Sequence, residues 1–268
     1  MRVKQESIDI YTNDNQDIHT MLRKNNKGLI IFTEHEYGCA THLAIGGMVD
    51  LTKPDAKILT HLINNNVFNQ TEDFEEIGWD LYFQSGYAIL NITRWPQTSL
   101  IPPEQSMTTW IHVYPPVRDF LELARKNGHN KVFFASSTTI HDALDNNIFK
   151  IHDSKEIMEY NFHQTISDDL NLFFSPPTWL FPYIGKLMGY EVCMAIMVGN
   201  NPDERLDWEA GMALREYLHD SFDLPILEGA SLDIKHELEA LFDRSDKLMK
   251  DIDGIVNKPT TPPNHMWG

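Results

Sequence analysis

Short apolar runs and a hairpin pattern predict the strands of this chain. Residues 28–33, 131–136 and 191–199 each hold a nearly continuous series of apolar side chains. Such runs are typical of strands that are buried on both faces of a parallel sheet. Two further segments, 79–83 and 87–93, are rich in aromatic and branched side chains and flank a Gln-Ser-Gly turn. This arrangement predicts a β-hairpin.

Helical periodicity predicts the segments that connect these strands. The pattern is clearest in residues 116–126, where apolar side chains recur at i, i+3, i+4 and i+7 and an Asn-Gly pair follows. Another helix is expected to begin at Pro202, with Asn201 as its N-cap and several acidic residues in its first turns. Helices are predicted at residues 54–66, 116–126, 180–188, from Pro202 onward, and at 232–253.

The last of these helices carries a seven-residue repeat of apolar positions. The spacing of four and three residues is interrupted only by Ser245, which gives a narrow apolar seam. A seam of this kind is compatible with a helix that lies on its own domain or with a coiled coil formed with a partner. Its apolar members are Ile234, Leu238, Leu241, Leu248, Ile252 and Ile255.

The order of elements predicts an α/β fold with a mostly parallel sheet that is covered by helices on both faces. The long C-terminal helix is expected to be an appendage of that sandwich. We therefore expect an α/β domain over residues 1–230, a helical appendage over 231–257 and a proline-rich tail over 258–268.

Composition and charge limit the classes of partner. With 42% hydrophobic residues among 268, the chain can bury a sizeable core. Its formal net charge of −17 opposes binding to nucleic acid and to anionic membrane surfaces and favours basic partners. Only two cysteines are present, no apolar leader segment opens the chain, and no apolar run approaches the roughly 20 residues that span a bilayer. We expect a cytoplasmic protein.

Polar segments follow three of the predicted strands, at residues 34–42, 137–142 and 199–203. Open α/β sheets bind ligands at the carboxyl ends of their strands, so these segments converge on one site if the strands are neighbours. His35, Cys39 and His42 then form a candidate zinc site, because imidazole and thiolate suit that metal.

Two other interpretations of the same segments remain open. Cys39 is a candidate nucleophile that a histidine activates, and an enzyme of this kind would draw on Cys39, His42, His141 and Asp203. Alternatively, these polar residues cap helices and satisfy backbone groups, and the chain carries neither a catalytic nor a metal site. We expect no resident cofactor, since no glycine-rich phosphate loop is present.

The C-terminal tail combines an extended spacer with an aromatic end. Three prolines at 259, 262 and 263 exclude a helix and favour a semi-rigid extended segment. The spacer leads to Met266, Trp267 and the carboxylate of Gly268. Aromatic side chains are favoured anchors in pockets of partner proteins, so these residues are candidates for partner binding. The alternative is a frayed end whose Trp267 folds back onto its own domain.

The motifs of the C-terminal third resemble those of the proteasome assembly chaperone family, the archaeal and bacterial relatives of the second eukaryotic proteasome assembly chaperone. A Pro-Thr loop opens a helix, a glycine turn and an apolar strand follow, and a Pro-Asp turn precedes a helix with paired small residues. The matching residues are Pro177-Thr178, 180–188, Gly189, 192–198, Pro202-Asp203, Ala210-Gly211 and the long helix at 232–253.

The resemblance implies a fold similar to that of purine nucleoside phosphorylases and related hydrolases, without an obligatory enzyme activity. It also implies a homo-oligomer that acts on the α subunits of the proteasome core particle. Some relatives dock through a C-terminal hydrophobic–tyrosine–any-residue motif, which Met266-Trp267-Gly268 matches except that Trp replaces Tyr. The family's glycine-rich first loop is replaced here by residues 33–38.

Overall fold

The structure of the chain is a computed structural model that describes residues 2–4, 6–13, 16–33, 37–60, 78–92, 106–139, 147–151, 176–199 and 205–256. His35, His141, Asp203 and residues 266–268 lie outside these described residues.

The described residues contain nine strands in a single sheet and six α-helices. The strands are β1 (Arg2–Lys4), β2 (Ile8–Thr12), β3 (Leu29–Thr33), β4 (Ala56–Thr60), β5 (Gly78–Gln84), β6 (Tyr87–Ile92), β7 (Lys131–Thr139), β8 (Asn147–Ile151) and β9 (Glu191–Gly199). The helices are α1 (Ile18–Lys24), α2 (Ala40–Gly46), α3 (Ser106–Lys126), α4 (Pro176–Leu187), α5 (Trp208–Phe222) and α6 (Ala230–Val256). A short 3-10 turn, Tyr37–Cys39, precedes α2.

The sheet is mixed, and most of its pairings are antiparallel. The strand order is β1-β2-β4-β5-β6-β3-β7-β9-β8. Among the described strands, the central pairs β6–β3, β3–β7 and β7–β9 are parallel and the other five pairs are antiparallel. The expectation of a mostly parallel sheet is therefore wrong. Most of the antiparallel pairs lie on the β1–β6 side of the sheet. Short connections there, such as the Ser85-Gly86 turn, impose antiparallel pairing, because a parallel pair needs a long crossover.

The helix predicted at residues 54–66 is also wrong where the structure describes it. Residues 56–60 form β4, which pairs antiparallel with β2 and β5. Ala56, Ile58 and Thr60 are buried while Lys57 is exposed, which is the period-two pattern of a strand. Ala56 and Leu59 also fit a helical spacing, so the sequence pattern alone allows either structure. Pairing with β2 and β5 decides that the segment is a strand.

The other predicted elements are present, with shifts at their ends. The strands at 28–33, 131–136 and 191–199 and the hairpin are confirmed. Helix α3 begins at Ser106 rather than at Pro116. Helix α5 begins at Trp208, and Asp207 rather than Asn201 is its N-cap. Strands β1, β2 and β8 and helices α1 and α2 were not anticipated from the sequence.

Two hydrophobic clusters lie on the two sides of the sheet. Along β3, Leu29 and Ile31 belong to one cluster, together with residues of α1, α3 and α4. Ile30 and Phe32 belong to the other, together with residues of α2 and α5. Successive side chains of a strand point to opposite faces, so each cluster occupies one side.

Aromatic contacts join the helices to the sheet within each cluster. Trp79 of β5 meets Phe181 of α4 edge-on, with ring centroids 5.5 Å apart. On the other side, Phe133 of β7 meets Phe222 of α5 at 4.4 Å. Each such contact adds specific geometry to the apolar area that it buries. Among the helices that the structure describes, none combines the length and apolar character that crossing a membrane requires.

Candidate functional site

The three predicted loop segments start side by side. Strands β3, β7 and β9 are neighbours and run parallel, with Ile30 opposite Phe133 and Phe133 opposite Cys193. Their carboxyl ends therefore lie along one edge of the sheet, which is where open α/β sheets place ligands. This edge, at the carboxyl ends of β3, β7 and β9, is called the polar edge below.

The turn after β3 contacts the segment that leads into α5. The Asp207 backbone N–H donates a hydrogen bond to the Gly38 carbonyl oxygen at 2.8 Å. Gly38 has a φ of +57°, and a Cβ added to it would lie 2.5 Å from the Cβ of Asp207. The segments after β3 and before α5 therefore approach more closely than any side chain at position 38 allows.

Cys39 and His42 lie together at the start of α2. Cys39 occupies the N-cap position with a φ of +51°, in the left-handed region that few residues other than glycine adopt. His42 is in the first turn of the helix and is partly buried. Both candidates therefore lie at the start of α2, next to the carboxyl end of β3.

The other candidates for the enzyme and zinc interpretations are not part of the described structure. Among the described residues, no group of three His, Cys, Asp or Glu side chains is placed to hold a metal ion. The zinc hypothesis depends on His35, and the catalytic hypothesis draws on His141 and Asp203, so both remain hypotheses. Cys39 and Cys193 do not form a disulfide with each other.

Buried polar side chains that the sequence analysis did not single out also line the polar edge. Asn91 near the end of β6 is completely buried, and Ser137 of β7 is almost so. By strand alternation both lie on the α2–α5 side, where Thr41 and Asp207 are buried as well. A signal for Asn91 was present in the sequence, because a lone amide inside an apolar strand needs a hydrogen-bond partner.

Asp207 caps the N-terminus of α5. Its carboxylate accepts a hydrogen bond from the Ala210 backbone N–H at 2.9 Å, which is the usual role of an N-cap aspartate. The polar edge thus gathers hydroxyl, amide, thiol and imidazole groups beside the starts of two helices.

A close helix junction fixes the direction in which α6 leaves the domain. A Cβ at Gly46 would meet the Ile234 side chain, and one at Gly47 would meet the Ser231 hydroxyl. Ser231 Oγ donates to the Leu43 carbonyl oxygen at 3.2 Å. The two glycines, which form no phosphate loop, therefore allow α6 to pack tightly against α2.

Further contacts hold the middle of α6 on one side. The Lys235 ammonium lies 5.3 Å from the centre of the Trp208 ring. Arg205 forms an ion pair with Asp246 at 2.7 Å, and its guanidinium lies 6.0 Å from the centre of the Phe242 ring. The helix that carries the C-terminal tail is thus anchored to the body at several points along its length.

The fold is that of a class of α/β proteins that includes archaeal homologues of proteasome-assembly chaperones, which confirms the resemblance at the level of the fold. No protein-family model matches the sequence, and no curated protein matches it. The fold is similar to that of Pyrococcus furiosus PbaB, an archaeal proteasome activator, with 12% identity over 90% of this chain and 100% of that chain and a TM-score of 0.53.

Two further solved structures share the fold over most of both chains. Pyrococcus furiosus PbaA, an archaeal homolog of proteasome-assembly chaperone, has 12% identity over 91% of this chain and 99% of that chain, with a TM-score of 0.50. Mycobacterium tuberculosis Rv2714, a protein of unknown function, has 13% identity over 96% of this chain and 88% of that chain, with a TM-score of 0.52. At such identities the likeness concerns the fold alone.

Proposed function

We propose that this chain is a cytosolic protein that binds the α ring of the proteasome core particle and assists its assembly or its activation. The observation that carries the proposal is the fold shared with PbaB over 90% of this chain, in a chain that also contains the segment Met266-Trp267-Gly268. The net charge of −17 is consistent with a basic protein socket as the partner.

In this proposal the three parts of the chain have separate tasks. Residues 1–230 form the body, residues 231–257 form an arm, and residues 258–268 dock. The 27 residues of α6 span about 40 Å at 1.5 Å per residue, and its junction with α2 sets the direction of that arm. A rigid arm reduces the conformational entropy that docking of a flexible tail would lose.

The docking contacts follow from the chemistry of the last three residues. Trp267 and Met266 fill an apolar pocket between neighbouring α subunits. The carboxylate of Gly268 pairs with a basic group such as a lysine at the pocket floor, through a charge-assisted hydrogen bond. Trp has a larger ring than the Tyr of the family motif and donates through its indole N–H, so the pocket must accept both a different shape and a different donor position.

Binding of purified core particles to the tagged full-length protein tests the tail. Deletion of residues 266–268 and the single change Trp267→Ala are expected to abolish retention of core particles in a pull-down. Trp267→Tyr is expected to retain binding, and Thr260→Ala, in the spacer, serves as the matched control. Unchanged retention after the deletion contradicts docking through the tail, while leaving the shared fold intact.

A second measurement separates assembly from activation. An activator increases peptide hydrolysis by preformed core particles in proportion to the tail-dependent binding. An assembly factor instead increases the yield of complete particles from separate α and β subunits. If neither quantity changes with intact protein present, the proposed action on the proteasome is wrong.

The polar edge favours a metal-dependent hydrolase or nucleoside-phosphorylase-like enzyme as the second candidate. The observation behind it is that Cys39, His42 and Asp207 lie in the segments that follow β3 and β9, which flank β7 in the parallel part of the sheet. Elemental analysis for zinc and assays of ester hydrolysis and nucleoside phosphorolysis test it. Loss of zinc or of activity in His35→Ala, with no loss in His236→Ala on the exposed face of α6, supports the enzyme. Absence of both zinc and activity in the unaltered protein rejects it.

A further inference from the structure

Helix α6 exposes large apolar side chains between residues 241 and 249. Leu241, Leu248 and Met249 are 54%, 60% and 56% exposed. Leu241 and Leu248 are seven residues apart, so they lie on the same face of the helix two turns from each other. Leu241 and Leu248, with Ser245 between them, form a surface that we call the exposed stripe. Exposed apolar side chains that share one helix face mark an interaction site more often than scattered ones do.

The exposed stripe continues a repeat whose first part is used inside the molecule. Ile234 and Leu238 occupy the preceding positions of the four-three spacing and are partly covered by the body. Arg205 contacts Phe242 and Asp246, which lie beside the stripe, and leaves Leu241 and Leu248 exposed. The body therefore covers the start of a coiled-coil pattern and leaves its continuation open.

We propose that the exposed stripe pairs with the same stripe of a second copy, in an antiparallel two-helix contact that crosses between residues 246 and 247. An isologous contact of this kind brings one surface patch against itself about a two-fold axis, and it closes as a dimer. This inference does not rest on the proteasome proposal.

The pattern of residues selects the antiparallel orientation. In a parallel pair, Ser245 faces the partner's Ser245, and the charged Arg244 flanks the partner's Met249. In the antiparallel pair, Ser245 faces the partner's Leu248, and Leu241 faces the position of the partner's Ile252. Phe242 then lies beside the partner's Met249, so each layer holds at least one apolar side chain and one flank is apolar.

Local charge permits the contact although the whole chain is strongly acidic. Residues 241–249 hold two acidic and two basic side chains, so the stripe and its surroundings are neutral. Two bodies of charge −17 still repel each other at long range, and added salt screens that repulsion. Pairing through the exposed stripe therefore becomes stronger as the salt concentration rises, whereas a contact between opposite charges becomes weaker.

Molecular mass in solution tests the pairing with the full-length protein. Sedimentation velocity is measured over a range of protein and salt concentrations for three proteins: the unaltered chain, the double variant Leu241→Glu/Leu248→Glu, and Leu232→Glu. Leu232 is also exposed on α6, but it lies on the face opposite Leu241, so its variant is a matched control. Circular dichroism confirms that the variants fold.

The expected result is that the double variant has half the mass of the unaltered chain, that Leu232→Glu retains the full mass, and that salt strengthens association. A double variant of unchanged mass overturns the proposal, and so does a 31.0 kDa monomer of the unaltered chain at every concentration. An equal loss of mass in Leu232→Glu also overturns it, because that result assigns the association to another face.

Disulfide formation tests the orientation, with both native cysteines replaced by serine. In the antiparallel pair, the two copies of position 241 are offset by about 16 Å along the helices, beyond the reach of a disulfide. The variant Leu241→Cys alone is therefore expected to remain uncrosslinked, and Leu241→Cys/Ile252→Cys is expected to form a crosslinked dimer. Crosslinking of Leu241→Cys alone indicates a parallel pair and contradicts the proposal.

Discussion

The backbone N–H of Asp207 lies 2.8 Å from the carbonyl oxygen of Gly38 and donates a hydrogen bond to it. This bond joins two segments that are far apart in sequence, the turn after β3 and the residues before α5. It forms at the polar edge, beside Cys39 and the start of α2. Because the two backbones meet so closely, the stability of this edge depends on a glycine and on a helix cap.

Gly38→Ala is expected to destabilise the protein by about 2–4 kcal/mol. A positive φ costs a non-glycine residue about 1–2 kcal/mol, and the new methyl group also collides with Asp207. Gly229→Ala is the matched control, because Gly229 also has a positive φ but nothing lies within 4 Å of its added Cβ. Urea denaturation of both variants measures the difference. Equal losses contradict a role for the close approach.

Asp207→Ala is expected to lower the free energy of unfolding by about 1 kcal/mol, through loss of the hydrogen bond from the Ala210 backbone N–H. Asp207→Asn keeps an oxygen in the same place and is expected to retain most of the stability. Urea denaturation midpoints compare the two variants with the unaltered protein. If Asn is as damaging as Ala, the carboxylate has a role other than capping.

Asp119 is expected to make stability sensitive to acid. Burial raises the pKa of this carboxyl group, but hydrogen bonds from the Ser7 hydroxyl, from Arg118 and from the Ser7 backbone N–H outweigh it and hold the pKa below its usual value. A lowered folded-state pKa contributes stability above the unfolded-state value near 3.9, and this contribution is lost as the pH falls through the folded-state value.

The variant Asp119→Asn tests this pH dependence. It is expected to be less stable than the unaltered protein by roughly 1–3 kcal/mol at pH 7, because Ser7 loses a charged acceptor. The difference should shrink as the pH falls below about 4. Unfolding free energies at several pH values measure it, with Asp243→Asn on the exposed face of α6 as the control. A difference that stays constant with pH contradicts the ionised carboxylate as its cause.

His129 is expected to make the free energy of unfolding depend on pH in a higher range than Asp119 does. The side chain is buried, and Nε2 donates to the Leu22 carbonyl oxygen at 3.0 Å. Burial lowers the pKa of this imidazole, against smaller opposing effects of backbone groups of Leu22 and Gly28. A lowered folded-state pKa gives stability that is present above about pH 6.5 and is lost as the pH falls through the folded-state value.

His129→Gln removes the titrating group and keeps a hydrogen-bond donor. The variant is expected to show a flatter dependence of unfolding free energy on pH between about 7 and 5. His236→Gln, exposed on α6, is expected to leave that dependence unchanged. An identical slope for His129→Gln and the unaltered protein would assign the acid sensitivity to other groups.

The parts of the fold that could be predicted are those whose pattern is local. Strand β9 is bounded as its continuous apolar run indicates, because the consecutive side chains from Met194 to Met197 are all buried, as in a strand covered on both faces. For strand β4 the sequence pattern predicts a helix, because Ala56 and Leu59 fit a helical spacing. Its conformation is decided by Ile10 and Trp79, which pair with Ile58 from distant segments.

The candidate site also has residues that the sequence predicts and residues that it does not. Cys39 and His42 could be proposed from the sequence because they follow a recognisable strand, and the neighbouring parallel strands do bring the loop starts together. Asn91 carries a signal of its own, since a lone amide inside an apolar strand needs a hydrogen-bond partner. Asp207 could not be found from local spacing, because its role comes from burial and from a hydrogen bond to Gly38, which is distant in sequence.

The sequence by itself determined the seven-residue repeat of α6, the hairpin turn and the identity of the tail residues. The tertiary structure alone decided which part of that repeat is covered and which part is exposed. The physical reason is that a repeat fixes only the angular position of each side chain around its own helix. Coverage depends on where Gly46 and Gly47 let α6 dock, so Ile234 is packed against α2 while Leu248 remains exposed.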